Sequence, residues 1–257
     1  MSQEARGEAF AALHTGDPFM IPNPWDAGSA RMLEALGFRA LATTSSGFAF
    51  TLGRLDGGAT LDEVTAHVAA LTAATSLPVS VDLENGGDDP ASAIRWVAEA
   101  GVVGGSIEDW DPDGGLYERQ LAVERVAAAV EVAHGFGFPF LLCARAENFL
   151  RGNPDLDDTI ARLQAYEAAG ADVLYAPGLR TVDEIRAVCS AVTKPVNVLA
   201  VPSLSFAEIA AAGARRVSVG GALTWVAVRA AADAAASLQE GDLSPLAARV
   251  PLGDWFD

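Results

Sequence analysis

Positively charged residues are scarce in this sequence. Lysine and arginine together number 17 against 34 aspartates and glutamates, which gives a formal net charge of -17. Such an acidic surface repels the phosphates of nucleic acids and the headgroups of anionic lipids, so neither is an expected partner. The single lysine, Lys194, stands before Pro195 at the start of a predicted strand. Aldolases that form a Schiff base need a lysine at the opposite end of a strand, so that mechanism is excluded.

Histidine and cysteine are equally sparse. His14, His67 and His134 fall on predicted helices or at a helix end, where we expect solvated side chains and no Ser-His-Asp catalytic set. Cys143 and Cys189 form neither a disulfide framework nor a cluster with metal-ligand spacing. We expect both to be buried thiols.

Long uninterrupted apolar runs are missing as well. The first residues, MSQEARGEAF, carry charges where a signal peptide needs an apolar run. The apolar segment 222–238 is broken by Arg229 and Asp233, which argues against a membrane span. The sequence therefore predicts a cytoplasmic protein.

What the sequence does contain is a repeated alternation of short β-rich runs and alanine-rich helical stretches. Eight strands are predicted, namely FMIPN, RALATTSS, PVSVDLE, VVGGSIED, PFLLCARAE, DVLYAPG, PVNVLA and RRVSVGG. Helix starts are marked by three capping boxes (Thr60 with Glu63, Thr181 with Glu184, Ser205 with Glu208) and by Asp89-Pro90. Four helices are expected to end at Gly37, Gly101, Gly170 and Gly213.

Eight βα units in 257 residues predict a single (β/α)8 barrel domain, residues 1–257, with a helical tail at the carboxyl end. A doubly wound open sheet is the alternative, but it usually has a glycine-rich phosphate turn after its first strand. The corresponding segment here, PNPWDAGSA, lacks the GxGxxG pattern.

Acidic residues gather where the predicted strands end. Asp82 and Glu84 are two residues apart in a strand and therefore project from the same face, and Glu108 ends the next strand. Barrel enzymes place their chemistry at this end, so the three carboxylates would share one solvated mouth. An all-oxygen set that also includes Asp56 favours Mg²⁺ or Mn²⁺ over zinc. The alternative is that these acids are strand-end caps and partners of arginine.

Arg145 follows the apolar run FLLCA, and its planar guanidinium suits bidentate capture of a substrate carboxylate. A salt bridge to Glu147 or Glu108 is the alternative role. Ser45 and Ser46 could donate hydrogen bonds to the same anion, although TTSSG is also an ordinary capped βα turn. Gly220-Gly221 after the last strand is a weaker candidate for binding a phosphate.

The ordered set NPWDAGSARMLEALGFRALATTSSG, LGRLDG, VSVDLE, GGSIED, CARAE and PVN resembles the isocitrate lyase and phosphoenolpyruvate mutase superfamily over residues 19–225. The resemblance implies a (β/α)8 barrel whose last helix is exchanged between subunits of a homodimer or homotetramer. It also implies Mg²⁺ (or Mn²⁺) bound directly by Asp82 and through water by Glu84, Glu108 and Asp56.

The same resemblance implies that Ser45, Ser46, Gly47 and Arg145 hold a 2-oxo carboxylate. Trp25 and Asn197 lie within the NPWDAG and PVN motifs and join the expected substrate-binding residues. Asp56, Glu108 and Arg145 are the expected catalytic residues.

Two segments depart from the family pattern. Lyases that cleave isocitrate or methylisocitrate carry Lys-Lys-Cys-Gly-His after the fourth strand, with cysteine as the catalytic acid, whereas this chain has WDPDGGLYERQ. The segment ENGGDDP replaces the Gly-Tyr-Gly that many relatives have after the acidic pair. The exact substrate therefore cannot be transferred from the family.

Taken together, these features predict a Mg²⁺-dependent C–C lyase or decarboxylase that acts on a small 2-oxo or 2-hydroxy dicarboxylate through a metal-stabilised enolate. Phosphoryl transfer of the phosphoenolpyruvate mutase type and a non-catalytic metabolite-binding barrel are the alternatives. Tyr117, Tyr175 and Asp109 are candidates for a general base. The loop 110–120 is expected to close over the mouth, and Trp255 and Phe256 to dock on this subunit or a neighbouring one.

Overall fold

The computed structural model describes residues 1–256, and its centre is a sheet of eight parallel strands. The strands are β1 Phe19–Ile21, β2 Leu41–Ala42, β3 Val79–Asp82, β4 Gly104–Glu108, β7 Leu141–Arg145, β8 Val173–Tyr175, β9 Val196–Leu199 and β10 Arg216–Ser218; β5 and β6 form a separate hairpin described below. Along the sheet their order is β1, β10, β9, β8, β7, β4, β3, β2. Each of the eight predicted strands contains one of them.

The two edge strands, β1 and β2, meet and bring the sheet almost to closure. The amide of Ala42 donates to the carbonyl of Pro22 at 3.1 Å, and the side-chain amide of Asn23 donates to the carbonyl of Thr43 at 2.8 Å. Strand order and the contact between the edges confirm the predicted (β/α)8 barrel.

Helices surround the barrel: α1 Gln3–Thr15, α2 Ala27–Ala35, α3 Ser45–Thr51, α4 Leu61–Ala74, α5 Pro90–Glu99, α6 Arg119–His134, α7 Leu156–Ala168, α8 Val182–Ala191, α9 Phe206–Ala211, α10 Ala222–Gln239 and α11 Leu252–Phe256, with a 3₁₀ turn at Ser244–Ala247. All three predicted capping boxes form, and Asp89 caps α5 ahead of Pro90. The four predicted helix-ending glycines all adopt positive φ. At Gly213, where φ is 113°, a Cβ would lie 2.7 Å from the Cβ of Cys189, so a side chain is excluded there.

Two features of the fold were not predicted. A short antiparallel hairpin, β5 Trp110–Asp111 and β6 Gly115–Leu116, follows β4 at the mouth of the barrel. The helix α1 packs across the amino-terminal end of the strands, where Phe10 is fully buried. Each hairpin strand has two residues and, unlike β2, does not lie within a longer β-rich run, so no side-chain alternation reports the hairpin.

The histidine prediction is wrong for two of the three residues. His14 is 4% exposed and packs edge-on against Phe10 and Phe19, and His67 is partly buried and stacked on Phe48 with ring centroids 3.9 Å apart. Only His134 is exposed, as expected of a solvated helix residue. His14 is covered by Phe10 of its own helix and by Phe19 of β1, and His67 is covered by Phe48 of α3.

The cysteine prediction holds for one of the two thiols. Cys143 is buried in β7, whereas Cys189 on α8 is only partly buried. Both are free thiols, as expected of residues without disulfide spacing.

The carboxyl-terminal part of the chain leaves the barrel surface. Within the 18-residue helix α10, Thr224 is the one buried residue. The short helix α11 returns to pack on α2, where the guanidinium of Arg31 donates to the carbonyl of Phe256 at 2.9 Å and lies over its ring. Across residues 1–256, no helix combines the length and apolar character needed to cross a membrane.

Candidate active site

The carboxyl ends of β3, β4 and β7 bring together an arginine and three carboxylates. The guanidinium of Arg145 lies 2.8 Å from Asp82 Oδ1, 2.8 Å from Glu108 Oε2 and 2.9 Å from Glu147 Oε1. β4 lies between β3 and β7 and pairs with both, so acids at the ends of β3 and β4 face the arginine that ends β7. Burial alone would lower the pKa of this guanidinium, but the charges of Glu108, Glu147 and Asp82 outweigh it and raise the pKa well above the ordinary value, so Arg145 stays charged.

Asp82 is positioned by its backbone and by neutral donors. Its amide donates to Thr43 Oγ1 at 2.9 Å, which ties the end of β3 to the turn after β2. The amide of Ser45 approaches Asp82 Oδ2 at 3.4 Å, and the hydroxyl of Ser106 approaches Oδ1 at the same distance. Arg145 is ion-paired to Oδ1, whereas the hydrogen bond from the Ser45 amide is the one contact found for Oδ2 among the described residues.

Glu84 has an unusual backbone conformation. Among residues 1–256 it is the one non-glycine residue with positive φ, at 52°. Its carbonyl accepts the amide of Glu108 at 2.8 Å, which continues the pairing of β3 and β4 through this bend. Strained conformations of this kind often occur at functional sites. Burial, reinforced by the charges of Asp82 and Asp56, raises the pKa of Glu84 to about 7.

Glu108 joins two arginines. Its Oε1 accepts from Arg151 Nη2 at 3.0 Å, while Oε2 contacts Arg145. The guanidinium of Arg151 also lies 4.8 Å from the ring centroid of Trp110, within range for a cation–π contact. Burial, with the charge of Glu147 as a further contribution, raises the pKa of Glu108 to about 8. Glu108 can therefore take up or release a proton near neutral pH.

Two adjoining cavities open at this end of the barrel. The inner cavity has a volume of about 180 Å³ and runs into the barrel interior between Arg145 and Arg216. The outer cavity, of about 330 Å³, lies beneath the hairpin and contains Glu84, Glu108 and Arg151. Ser45, Asp56, Arg145 and Leu150 line both, so the cavities form one continuous site.

Most of the predicted site residues line these cavities. The inner cavity contains Ser45, Ser46, Asp56, Asp82, Arg145 and Asn197, and the outer one adds Glu84 and Glu108. Asn197 is held in place, because its amide donates to Ser218 Oγ at 2.9 Å and its carbonyl oxygen accepts from Arg216 Nε at 2.8 Å. Of the predicted site residues, Trp25 and Gly47 line neither cavity.

Trp25 and Gly47 pack behind the cavity wall. A Cβ on Gly47 would lie 2.5 Å from Thr224 Oγ1 and 2.6 Å from Thr44 Cγ2, so a side chain there would displace the helix that carries Ser45 and Ser46. The Cβ of Trp25 lies 3.1 Å from the same point. Close packing between α3 and the start of α10 therefore accounts for the glycine.

The donor set bears directly on a divalent ion. Among residues 1–256, no three His, Cys, Asp or Glu side chains converge in a cluster ready to hold a metal, because Arg145 occupies the centre of the acidic group. Mg²⁺, however, usually keeps several waters and needs only one or two carboxylates from the protein. Asp82 Oδ2, with Glu84 and Asp56 nearby, fits such a water-rich site. Burial is the main cause of the raised pKa of Glu84, and a cation would offset the repulsion from Asp82 and Asp56 that adds to it.

None of the three candidate bases, Asp109, Tyr117 and Tyr175, is placed or charged to accept a proton from a substrate in the cavities. Asp109 is 3% exposed and bonds to Arg162 and Tyr166 behind the strands. The hydroxyl of Tyr117 donates to Asp111 Oδ2 at 3.2 Å, away from both cavities. Tyr175 lines the inner cavity, but burial raises the pKa of its hydroxyl further above the ordinary value, which disfavours a role as base.

Two site residues were missed by sequence reasoning, Arg151 and Arg216. Arg151 lies six residues after Arg145 in the turn that follows β7, and nothing in FLRGN distinguishes it from a solvated arginine. Arg216 does carry a signal, because it alternates with the apolar residues of the strand RRVSV. A charged residue on the inward face of a buried strand calls for a functional or structural explanation.

Comparison with known proteins agrees with this architecture. The family model of phosphoenolpyruvate phosphomutase matches residues 10–239. The chain belongs to the phosphoenolpyruvate phosphomutase family. The predicted resemblance to the phosphoenolpyruvate mutase and isocitrate lyase superfamily is thereby confirmed.

Individual members of the family align along most of their length. An uncharacterised protein of Mycobacterium tuberculosis is 34% identical over 90% of this chain and 89% of its own. Oxaloacetate decarboxylase of Bradyrhizobium sp. is 32% identical over 85% of this chain and 79% of its own. A Burkholderia cenocepacia J2315 structure, provisionally described as a lyase or mutase, is 53% identical with a TM-score of 0.95, covering 99% of this chain and 96% of that one.

Proposed function

We propose that this family member is a Mg²⁺-dependent C–C lyase or decarboxylase that acts on a small 2-oxo or 2-hydroxy dicarboxylate. The observation that carries the proposal is the pairing of Asp82 and Glu108 with Arg145, with Glu84 in the adjoining wall, in the continuous cavity at the carboxyl ends of the strands. Barrel enzymes place their reacting groups at this end. The relatives include oxaloacetate decarboxylases, which supports a lyase-type reaction.

Asp82 would hold the ion directly, and Glu84, Glu108 and Asp56 would orient its bound waters. When bound, a divalent cation supplies Lewis-acid stabilisation of the negative charge that develops on a 2-oxo acid. Phosphonopyruvate hydrolase, which shares the barrel fold at 22% identity and a TM-score of 0.86, was crystallised with oxalate and Mg²⁺.

Arg145 would bind the substrate as well as organise the acids. Its Nε and Nη2 hydrogens point to Glu147 and Glu108, and one of the two Nη1 hydrogens points to Asp82. One Nη1 hydrogen is left to donate to a substrate carboxylate. Arg145 would therefore donate one hydrogen bond to the substrate carboxylate, and the Ser45 and Ser46 hydroxyls in the cavity wall would donate others. This arrangement differs from the bidentate binding by Arg145 that the sequence predicts.

Glu108 is our candidate for moving a proton during the reaction. Burial raises the pKa of Glu108 above the ordinary value of a glutamate, and the side chain lines the outer cavity beside Arg145. A protonated carboxyl group at this place could return a proton to the carbon left after bond cleavage. It would supply the acid function that the missing cysteine segment provides in other members of the superfamily.

Phosphoryl transfer of the phosphoenolpyruvate mutase type is the second candidate, because the matching family model carries that activity in its name. A panel of oxaloacetate, substituted malates and phosphonopyruvate, incubated with the protein in Mg²⁺ or EDTA and followed by ¹H and ³¹P NMR, separates the candidates. We expect Mg²⁺-dependent loss of an oxaloacetate or malate. Conversion of phosphonopyruvate alone would favour the mutase, and no turnover of any compound would favour a binding protein.

A further inference from the structure

The floor of the inner cavity contains a buried arginine, Arg216. It is 5% exposed, lies in β10 and lines the same cavity as Arg145. Strand pairing relates the two, since Arg145 pairs with Tyr175, Tyr175 with Asn197 and Asn197 with Arg216 on successive strands. Arg216 is therefore part of the barrel interior and belongs to the site rather than to the outer surface.

All the hydrogen-bond partners of Arg216 are neutral. Nε donates to Asn197 Oδ1 at 2.8 Å, Nη1 lies 3.3 Å from His14 Nε2, and Nη2 donates to Cys143 Sγ at 3.2 Å. His14 Nδ1 lies 2.8 Å from the carbonyl of Phe10 and must carry its proton, which leaves Nε2 as an acceptor for Arg216. Burial and the guanidinium lower the pKa of His14 to about 3, so the ring stays uncharged.

Arg216 therefore differs from Arg145, although both are buried. Arg145 has three carboxylates within 3 Å, whereas no carboxylate of the described residues lies within 4 Å of Arg216. A buried charge without a counter-ion is strongly destabilising unless hydrogen bonds or a ligand offset the loss of hydration. The three neutral partners account for three of its five N–H groups, and two remain for another acceptor.

We propose that the floor of the inner cavity is a second carboxylate subsite, in which Arg216 binds the distal carboxylate of the substrate while its 2-oxo or 2-hydroxy end lies at the mouth near Arg145. The mouth contains several carboxylates, whereas the floor contains a guanidinium without a carboxylate partner. A dicarboxylate should therefore bind with one carboxylate at the floor. A volume of about 180 Å³ suits a small organic acid and is too small for a nucleotide.

The subsite narrows the class of substrate for the proposed function. This assignment of a substrate rests on that function. In cleavage of a 2-hydroxy dicarboxylate, the hydroxyl proton goes to a carboxylate at the mouth, the C2 oxygen becomes a carbonyl, the C2–C3 electron pair passes to C3, and C3 gains a proton. Both carboxylates survive, and the distal one keeps its bond to Arg216. Decarboxylation would instead convert the distal carboxylate to neutral CO₂ and break that bond. The subsite thus favours a 2-hydroxy dicarboxylate as the substrate.

Calorimetric titration of the wild-type protein with succinate and with butyrate, in EDTA, tests the subsite without turnover or metal. These probes differ mainly in the second carboxylate. We expect succinate to bind at least about tenfold more tightly, because a charged hydrogen bond in a buried site is worth about that much. Equal affinity, or no detectable binding of succinate, would overturn the proposal.

Variants then assign the difference to Arg216. Arg216→Gln should remove the preference for succinate, and Arg216→Lys should keep part of it. Arg215→Gln is the matched control, because Arg215 is the preceding residue and its guanidinium bonds to Gly16 outside the cavity. Circular dichroism and thermal melts check folding; if Arg216→Gln does not fold, the lysine variant and the wild-type comparison decide.

The outcomes separate this proposal from the proposed function. Loss of affinity for succinate and butyrate alike in a folded Arg216 variant would indicate a purely structural arginine. Weakening of succinate binding by chloride but not by gluconate would indicate a site for inorganic anions and would also overturn the proposal. A preference for succinate that depends on Arg216, in a protein that turns over no organic acid, would keep the subsite and refute the lyase.

Discussion

Arg145 Nη1 and Asp82 Oδ1 lie 2.8 Å apart, although β4 separates their strands. The sequence predicts that Arg145 binds substrate and that Asp82 binds metal, and in the structure these two residues form an ion pair with each other. Arg145 contacts Glu108 and Glu147 as well. Loss of Asp82 alone would therefore leave the guanidinium with two carboxylate partners.

The first prediction concerns the stability of the Asp82→Asn variant. Asparagine keeps an oxygen that can accept from Arg145, and the remaining acids repel each other less once one charge is gone. We expect the metal-free variant to melt within a few degrees of the wild type, or higher. A fall in the free energy of unfolding of about 3 to 5 kcal/mol in both EDTA and Mg²⁺ would show instead that Asp82 is a structural partner of Arg145.

The pKa of Glu84 leads to a prediction about pH. The folded state raises this pKa from 4.5 to about 7, so between those values the folded protein binds more protons than the unfolded chain. The contribution of Glu84 to the free energy of unfolding of the metal-free protein is therefore present at low pH and is lost as the pH rises towards 7. Glu84→Gln should flatten that part of the curve, as measured by chemical denaturation at pH 5, 6, 7 and 8.

Surface carboxylates provide the control for that experiment. The pKa of Glu63 is lowered to about 2 by hydrogen bonds from Arg54 and Thr60, so Glu63→Gln should leave the slope between pH 5 and 8 unchanged. If the Glu84 variant and the wild type lose stability in parallel over this range, the raised pKa does not belong to Glu84.

The hairpin 110–116 should limit access to the outer cavity. Trp110 and Pro112 line that cavity, and Tyr117 connects the hairpin to Asn85 through a 3.2 Å hydrogen bond. Mg²⁺ with oxalate should protect this segment from limited proteolysis, because closure would bury it. Tyr117→Phe should reduce the protection while cleavage elsewhere stays the same. Identical digestion patterns with and without ligand would contradict a closing loop.

Helix α10 leads to a prediction about association. Trp225 and Val226 on this helix and Leu243 just beyond it are 45%, 67% and 66% exposed. Apolar surface of this kind usually marks an interface. We predict a homodimer or homotetramer in which α10 packs on a neighbouring barrel, measured by light scattering at micromolar concentration. Val226→Glu should yield smaller species, and Leu121→Glu, on the exposed face of α6, should not.

The sequence predicts that Trp255 and Phe256 dock on this subunit or a neighbouring one, and the structure shows such a contact for Phe256. Phe256 packs against Arg31 of α2 in the same chain, while Trp255 is partly exposed. Removing residues 252–257 should therefore lower the melting temperature slightly. A monomeric wild-type protein that is unaffected by this deletion would refute both the interface and the docked tail.

The sequence contained most of the fold because the signals for the fold are local. Thr60 with Glu63 and Ser205 with Glu208 cap helices through residues three apart, and glycines such as Gly37 mark helix ends by their own conformation. The hairpin at 110–116 and the burial of His14 depend on packing between elements that are distant in the chain, so no local pattern reports them.

The site was predictable as a set of residues and not as a set of bonds. Asp82, Glu84, Glu108 and Arg145 could be selected because polar residues at the ends of apolar strands are exceptional. That Arg145 would bind three acids, while Arg216 would bind none, depends on the register of β7 and β10 around the barrel. Strand register is a property of the closed sheet and cannot be read from one strand.

The central claim is that the acids at the mouth bind a divalent ion, and calorimetric titration of Mg²⁺ into the protein in the presence of oxalate tests it most directly. The account predicts one Mg²⁺ per chain, at least about tenfold weaker binding for Asp82→Asn, and a smaller loss for Glu84→Gln, because a water-mediated ligand orients the ion without bonding it. Asp111→Asn, in the hairpin, is the control and should bind normally. Absence of Mg²⁺ binding to the wild type, or equal binding by wild type and Asp82→Asn, would contradict the account.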